Sequence, residues 1–120
     1  MLNNRDYGLL LEIKKCASRI QTKMHDVNFD AFAVDYDLRE IICFNLLQIG
    51  ELAKNLSDEF VDKFCDVPWK LIKGMRDKVV HSYGSLDLQL IFNTAIKDID
   101  ALLNYCKAIL SVEQKSQNLN

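Results

Sequence analysis

From Asn3 to about Met24 the apolar positions Tyr7, Leu10, Ile13, Ala17, Ile20 and Met24 recur every three or four residues, with Lys14, Lys15, Arg19 and Lys23 between them. That period predicts an amphipathic first helix. It is lost between His25 and Tyr36, where Asp26, Asn28, Asp30 and Asp35 suit a connection that ends in a helix N-cap at Asp35 or Asp37. A second helix is predicted from there to about Leu56. Between Ile41 and Ala53 its only charged residue is Glu51, and apolar side chains occur almost all the way round, which predicts a central helix buried on several sides. The acidic stretch Ser57 to Val67 predicts a short helix or a turn.

Pro68-Trp69 suits the first turn of a third helix, because proline fits where a backbone N–H has no intrahelical partner. Trp69, Ile72, Met75 and Val79 supply its apolar stripe, and the pattern stops at Gly84. A fourth helix is predicted from about Asp87 to Leu110, carrying Leu88, Phe92, Ala95, Ile99, Leu102, Cys106 and Ile109 on one face. The expected architecture is all-α: an antiparallel four-helix bundle with an additional short helix. It forms one domain over residues 1–112, followed by a frayed tail from Glu113 to Asn120.

Composition narrows the function classes. One hundred and twenty residues with 49% hydrophobic content are enough for one core, and four glycines with one proline are too few for the turns of an all-β or nucleotide-binding α/β fold. There is no glycine-rich phosphate loop. Fifteen basic against 17 acidic residues give a formal charge of -2, so the total does not announce a non-specific nucleic-acid binder. The distribution is uneven: Asp26 to Asp66 holds ten acids and three bases, whereas Trp69 to Tyr83 holds Lys70, Lys73, Arg76 and Lys78 against Asp77 alone. For the lysines of either basic helix, a solvated face is the ordinary reading. The amino-terminal residues lack the layout of a signal peptide, and the uncharged run Ile41 to Gly50 is too short to span a membrane, so a cytoplasmic protein is expected. Cys16, Cys43, Cys65 and Cys106 are scattered, without a Cys-x-x-Cys pair, and predict reduced thiols rather than a metal site.

The chemistry concentrates in Gly74-Met75-Arg76-Asp77-Lys78-Val79-Val80-His81-Ser82-Tyr83-Gly84. On a helix Arg76 falls in the row Ile72, Arg76, Val79, Tyr83, so its stem follows the core-facing seam and its guanidinium needs an anion. Asp77 and His81 are spaced i, i+4, where the carboxylate would orient the ring or favour the imidazolium, which makes His81 a candidate for proton transfer. Each residue also has an ordinary role: Arg76 paired with Glu51, His81 at a helix C-terminus, Tyr83 packed with its hydroxyl in water. His25, in an acidic loop, reads as a surface residue, and Gly50, inside a helix, as a close-packing point.

Together, Arg76, His81 and Tyr83 in the order R-x-x-x-x-H-x-Y resemble the signature of HEPN-domain proteins of the HepT toxin type. Gln48-Ile49-Gly50-Glu51-Leu52-Ala53-Lys54 resembles that family's second-helix segment, and Pro68-Trp69 followed by Gly74-Met75-Arg76 resembles the entry to its motif helix. The resemblance covers nearly the whole chain. It implies a helical-bundle toxin that dimerises with its motifs facing one another and cleaves RNA without a metal or other cofactor. Its implied partner is a nucleotidyltransferase antitoxin of the MntA type. Arg76 and His81 are then the catalytic residues, Asp77 and Glu51 supporting ones, and Tyr83 the target of AMP transfer. Asp77 departs from the asparagine of many relatives, and the family includes members whose nuclease activity is absent. The alternative implied function is therefore a non-catalytic protein that binds the nucleotidyltransferase or a nucleotide.

Overall fold

The computed structural model describes residues 3–85 and 87–118, with side chains placed through Gln114. Helix α1 (Asn4–Lys23) starts at Asn3, whose side chain accepts from the Asp6 amide, and buries Leu10, Ile13, Ala17 and Ile20. The connection after α1 turns at Asp26, which has a φ of 59°. It also contains a helix that the charge pattern does not reveal, α2 (Phe29–Val34), capped by Asn28. Its aromatic side chains explain it: Phe29 and Phe32 both form T-shaped pairs with Phe92, 5.6 Å between ring centroids, so tertiary packing stabilises a six-residue helix that is too short to persist alone.

Helix α3 (Tyr36–Lys54) is capped by Asp35 and packs against α1, against α2, and against the two helices that carry the motif. Ile42, Leu46, Ile49 and Ala53 form its buried stripe, while Phe44 remains 53% exposed, so one face of this central helix is open. Ser57 caps α4 (Asp58–Lys63). Asp6, itself buried, accepts from the Ser57 amide at 2.9 Å and the Ser57 hydroxyl at 2.6 Å, tying the start of α1 to the start of α4. Phe60 then packs beside Trp69 at 5.4 Å between ring centroids.

The expected single third helix is two: α5 (Trp69–Lys73) and α6 (Met75–Gly84), joined at Gly74. Gly74 has right-handed dihedrals with ψ at -7°, its amide donating to the Lys70 carbonyl and its carbonyl accepting from the Lys78 amide, so the two helices follow directly on one another across a one-residue break. The fourth helix is likewise interrupted. α7 (Leu88–Asn93), capped by Asp87, runs into a π-helical turn (Thr94–Asp98) and then α8 (Ile99–Asn118). The buried Thr94 hydroxyl donates to the Leu90 carbonyl at 2.9 Å where the backbone ladder widens. Expected fraying from Glu113 gives way to helix through Asn118, with Glu113 only 3% exposed; the last two residues of the expected tail lie outside the described residues.

The described residues are all-α. Four rods, α1, α3, α5 with α6, and α7 with α8, enclose one core. The direction of α6 follows from its neighbours: it leaves α3 at Gly50, and the following α7 packs on α2, which immediately precedes α3. The motif helix therefore runs antiparallel to α3. No described helix is long and apolar enough to cross a membrane.

Candidate active site

The site begins with a missing methyl group. A Cβ at Gly50 would stand 2.8 Å from the Arg76 amide nitrogen, 2.9 Å from its Cβ and 3.1 Å from the Lys73 carbonyl oxygen. Glycine thus lets the backbones of α3 and of the α5–α6 junction touch. That approach brings Glu51, the next residue on α3, to Arg76: its Oε1 accepts from the guanidinium Nε at 2.8 Å. Lys54, one turn on, reaches the same carboxylate oxygen at 3.8 Å. Asp77 Oδ1 meets Arg76 Nη1 at 3.2 Å. Lys54, Glu51, Arg76 and Asp77 form a chain of alternating charge with about half of each central side chain in water.

The row predicted from helical spacing is observed. Ile72 and Val79 are buried, and Arg76 and Tyr83 are half-buried between them and solvent. Tyr83 packs against the core, and the buried Ser82 lies on the inner face of the helix. His81 is exposed and turns away from this row. Five residues of helix separate it from Arg76 by about 140° of rotation, with Val80 and Asp77 in the sector between. The expected Asp77–His81 contact is not formed; Asp77 is spent on Arg76, and the His81 imidazole makes no hydrogen bond or ion pair with any described residue. The His81 carbonyl accepts from the Ser85 hydroxyl at 2.9 Å, which closes the last turn of α6.

One chain thus presents an anchored guanidinium on the α3–α6 seam and a free imidazole on the open side of α6. Lys54 is the site residue that sequence reasoning passed over; its i, i+3 spacing from Glu51 was the available signal. Lys78 turns the other way, to Asp98 of the π-helical turn at 3.5 Å. His25 lies far out in the surface connection beside Asp26. Cys16, Cys43 and Cys106 are buried free thiols and Cys65 an exposed one. Among the described residues, no three His, Cys, Asp or Glu side chains gather as a metal site.

A helical bundle with a paired arginine and an open histidine on one motif helix has the features of a HEPN nuclease domain, and comparison with known proteins agrees. The family described as Ribonuclease HepT-like matches residues 13–109. An inferred RNase of Caldanaerobacter subterraneus subsp. tengcongensis is 36% identical over 102 residues, covering 85% of this chain and 90% of the relative. An inferred RNase of Methanocaldococcus jannaschii is 30% identical over 95 residues, 78% of each chain. An inferred ribonuclease HepT of Thermococcus cleftensis is 28% identical over 100 residues, 83% of this chain and 89% of the relative. No solved structure gives a significant match. The chain belongs to the HepT-like ribonuclease family, and its class is that of a ribonuclease.

Proposed function

We propose that this chain is the toxin of a toxin–antitoxin pair: a metal-independent endoribonuclease that works in the cytoplasm as a homodimer, with Arg76 and His81 as its catalytic residues. The observation that carries this reading is the division of the motif around α6. Arg76 is held by Nε to Glu51 at 2.8 Å, while His81 stands free about 140° away on the same helix. Cleavage through the 2′-hydroxyl needs a base, an acid and a cation, and one chain offers a single imidazole in its motif. In a two-fold dimer with the α6 faces opposed, one His81 accepts the 2′-OH proton as that oxygen bonds to phosphorus. The other His81 donates a proton to the 5′-oxygen as the P–O5′ bond breaks. Arg76 stabilises the phosphorane oxygens.

The proposed partner is a nucleotidyltransferase antitoxin of the MntA type that transfers AMP to Tyr83. In that step the Tyr83 phenol loses its proton, its oxygen bonds to the α-phosphorus of ATP, and pyrophosphate leaves. The added phosphate and base would stand beside Arg76 and block the cleft by charge and volume. A second reading, a non-catalytic partner-binding protein, is favoured by one contact: the Asp77 carboxylate lies on Arg76 Nη1 at 3.2 Å, where a phosphate oxygen would otherwise bind.

The test is RNA cleavage and toxicity of Arg76→Ala and His81→Ala. Each should abolish both while leaving a folded helical dimer, and Arg76→Lys should not restore activity, since one ammonium cannot reproduce a bidentate fork. Wild-type cleavage should persist in EDTA and leave 2′,3′-cyclic phosphate ends. Strict dependence on magnesium, or wild-type cleavage by His81→Ala, sinks the mechanism. Tyr83→Phe should escape modification and stay toxic beside the antitoxin; full neutralisation of that variant would show inhibition by complex formation instead.

A further inference from the structure

We infer that Lys73 and Lys70 form a phosphate-binding rail that holds the RNA backbone flanking the scissile phosphate, so that the enzyme grips an oligonucleotide rather than a single phosphodiester. The inference rests on the ribonuclease reading and deepens it. The hydrogen bonds of Gly74, to the Lys70 carbonyl and from the Lys78 amide, join α5 directly to α6 and keep Lys70, Lys73 and Arg76 on adjoining turns of chain. Lys73, whose carbonyl oxygen lies 3.1 Å from where a Gly50 Cβ would stand, adjoins Arg76 across the Gly74 junction, and Lys70 lies about one helical turn further from it.

Charge supports the assignment. Lys54 and Arg76 pair with Glu51, and Asp77 pairs with Arg76, so both carboxylates of the network are already engaged. Lys70 and Lys73 make no ion pair with any described residue, whereas Lys78, on α6, pairs with Asp98 at 3.5 Å. Lys70 is exposed and Lys73 half-buried, its backbone carbonyl pressed toward Gly50, so the packing that positions Arg76 also positions the base of the Lys73 side chain. An acidic protein that must hold a polyanion needs such a local excess of cation beside the reacting group.

The experiment compares wild type, Lys70→Gln, Lys73→Gln and the double variant on a single-stranded RNA oligonucleotide and on a dinucleotide that lacks flanking phosphates. At low salt KM for the oligonucleotide should rise by about fivefold per lysine, with kcat nearly held. The dependence of log affinity on log salt should flatten by about 0.7 per lysine removed. The penalty should shrink on the dinucleotide, Lys73→Arg should restore the oligonucleotide KM, and Lys107→Gln, a control on the exposed side of α8, should leave KM and the salt slope as they are. Wild-type KM and salt slope in the double variant overturn the inference, as does a loss confined to kcat or confined to antitoxin binding. A wild-type chain that neither cleaves nor binds RNA overturns the ribonuclease reading and the rail together; cleavage indifferent to the lysines overturns the rail alone.

Discussion

Gly50 and Arg76 occupy one another's space: the hydrogen of glycine is all that separates α3 from the amide of the motif arginine, since a Cβ there would lie 2.8 Å from that nitrogen. Gly50→Ala therefore sets two effects against each other. Alanine gains about 1 kcal/mol of helix propensity. The clash is with backbone, which cannot swing aside, and overpacking of this kind costs about 1–3 kcal/mol. The expected result is a net loss of stability of up to about 2 kcal/mol in urea titration, together with reduced RNA cleavage as Arg76 is pushed off Glu51. A Gly50→Ala chain more stable than wild type would show that the two helices separate freely.

Glu51→Gln separates positioning from stability. The Glu51–Arg76 pair is short, but both side chains are close to half exposed, and exposed pairs of this kind contribute about 1 kcal/mol or less. Stability should change by under about 1 kcal/mol, while RNA cleavage should fall by at least about tenfold, because the guanidinium loses its charged anchor at Nε and is held by Asp77 alone. Equal, small losses in both measurements would make the pair structural only.

Ser57→Ala tests the junction between α1 and α4. The Ser57 hydroxyl donates to buried Asp6 at 2.6 Å and accepts from the Phe60 amide at 3.2 Å, so its removal uncaps α4 and deprives a buried carboxylate of one donor. A loss of about 2 kcal/mol is expected in thermal or urea unfolding. Cleavage at a temperature well below the transition should be retained, since Asp6 and Ser57 form no part of the Arg76 network.

The thiols predict a graded reactivity. Burial pushes Cys43 and Cys106 up to about 11 from an ordinary 9.0 and raises Cys16 as well, whereas Cys65 is exposed. In the folded chain at pH 8, iodoacetamide should label Cys65 rapidly and the other three only after denaturation, as peptide mapping would show. The sign for stability follows. Unfolded thiols ionise near 9 and folded Cys43 and Cys106 near 11, so the stabilisation is fully present below pH 9 and is lost as the pH climbs through 11.

The four long amphipathic rods and the cap at Asp35 were legible in the chain because apolar period and capping chemistry are local. The Glu51–Arg76 pair was legible too, as a lone charge on a buried helix facing an arginine on an apolar seam. Helix α2 was not, because its stability comes from Phe92, sixty residues away in the chain. Nor was the break at Gly74 or the π-helical turn at Thr94–Asp98, where packing of one rod against another overrides a pattern that reads as continuous helix. The i, i+4 rule offered Asp77 to His81 and could not weigh the competing guanidinium next to it; only the folded seam, which delivers Arg76 to both Glu51 and Asp77, decided that His81 stands free. Residue types and their period thus determined which elements form and which side chains carry chemistry. The three-dimensional approach of α3 to the motif helix, made possible by one absent methyl group, determined which of those side chains meet.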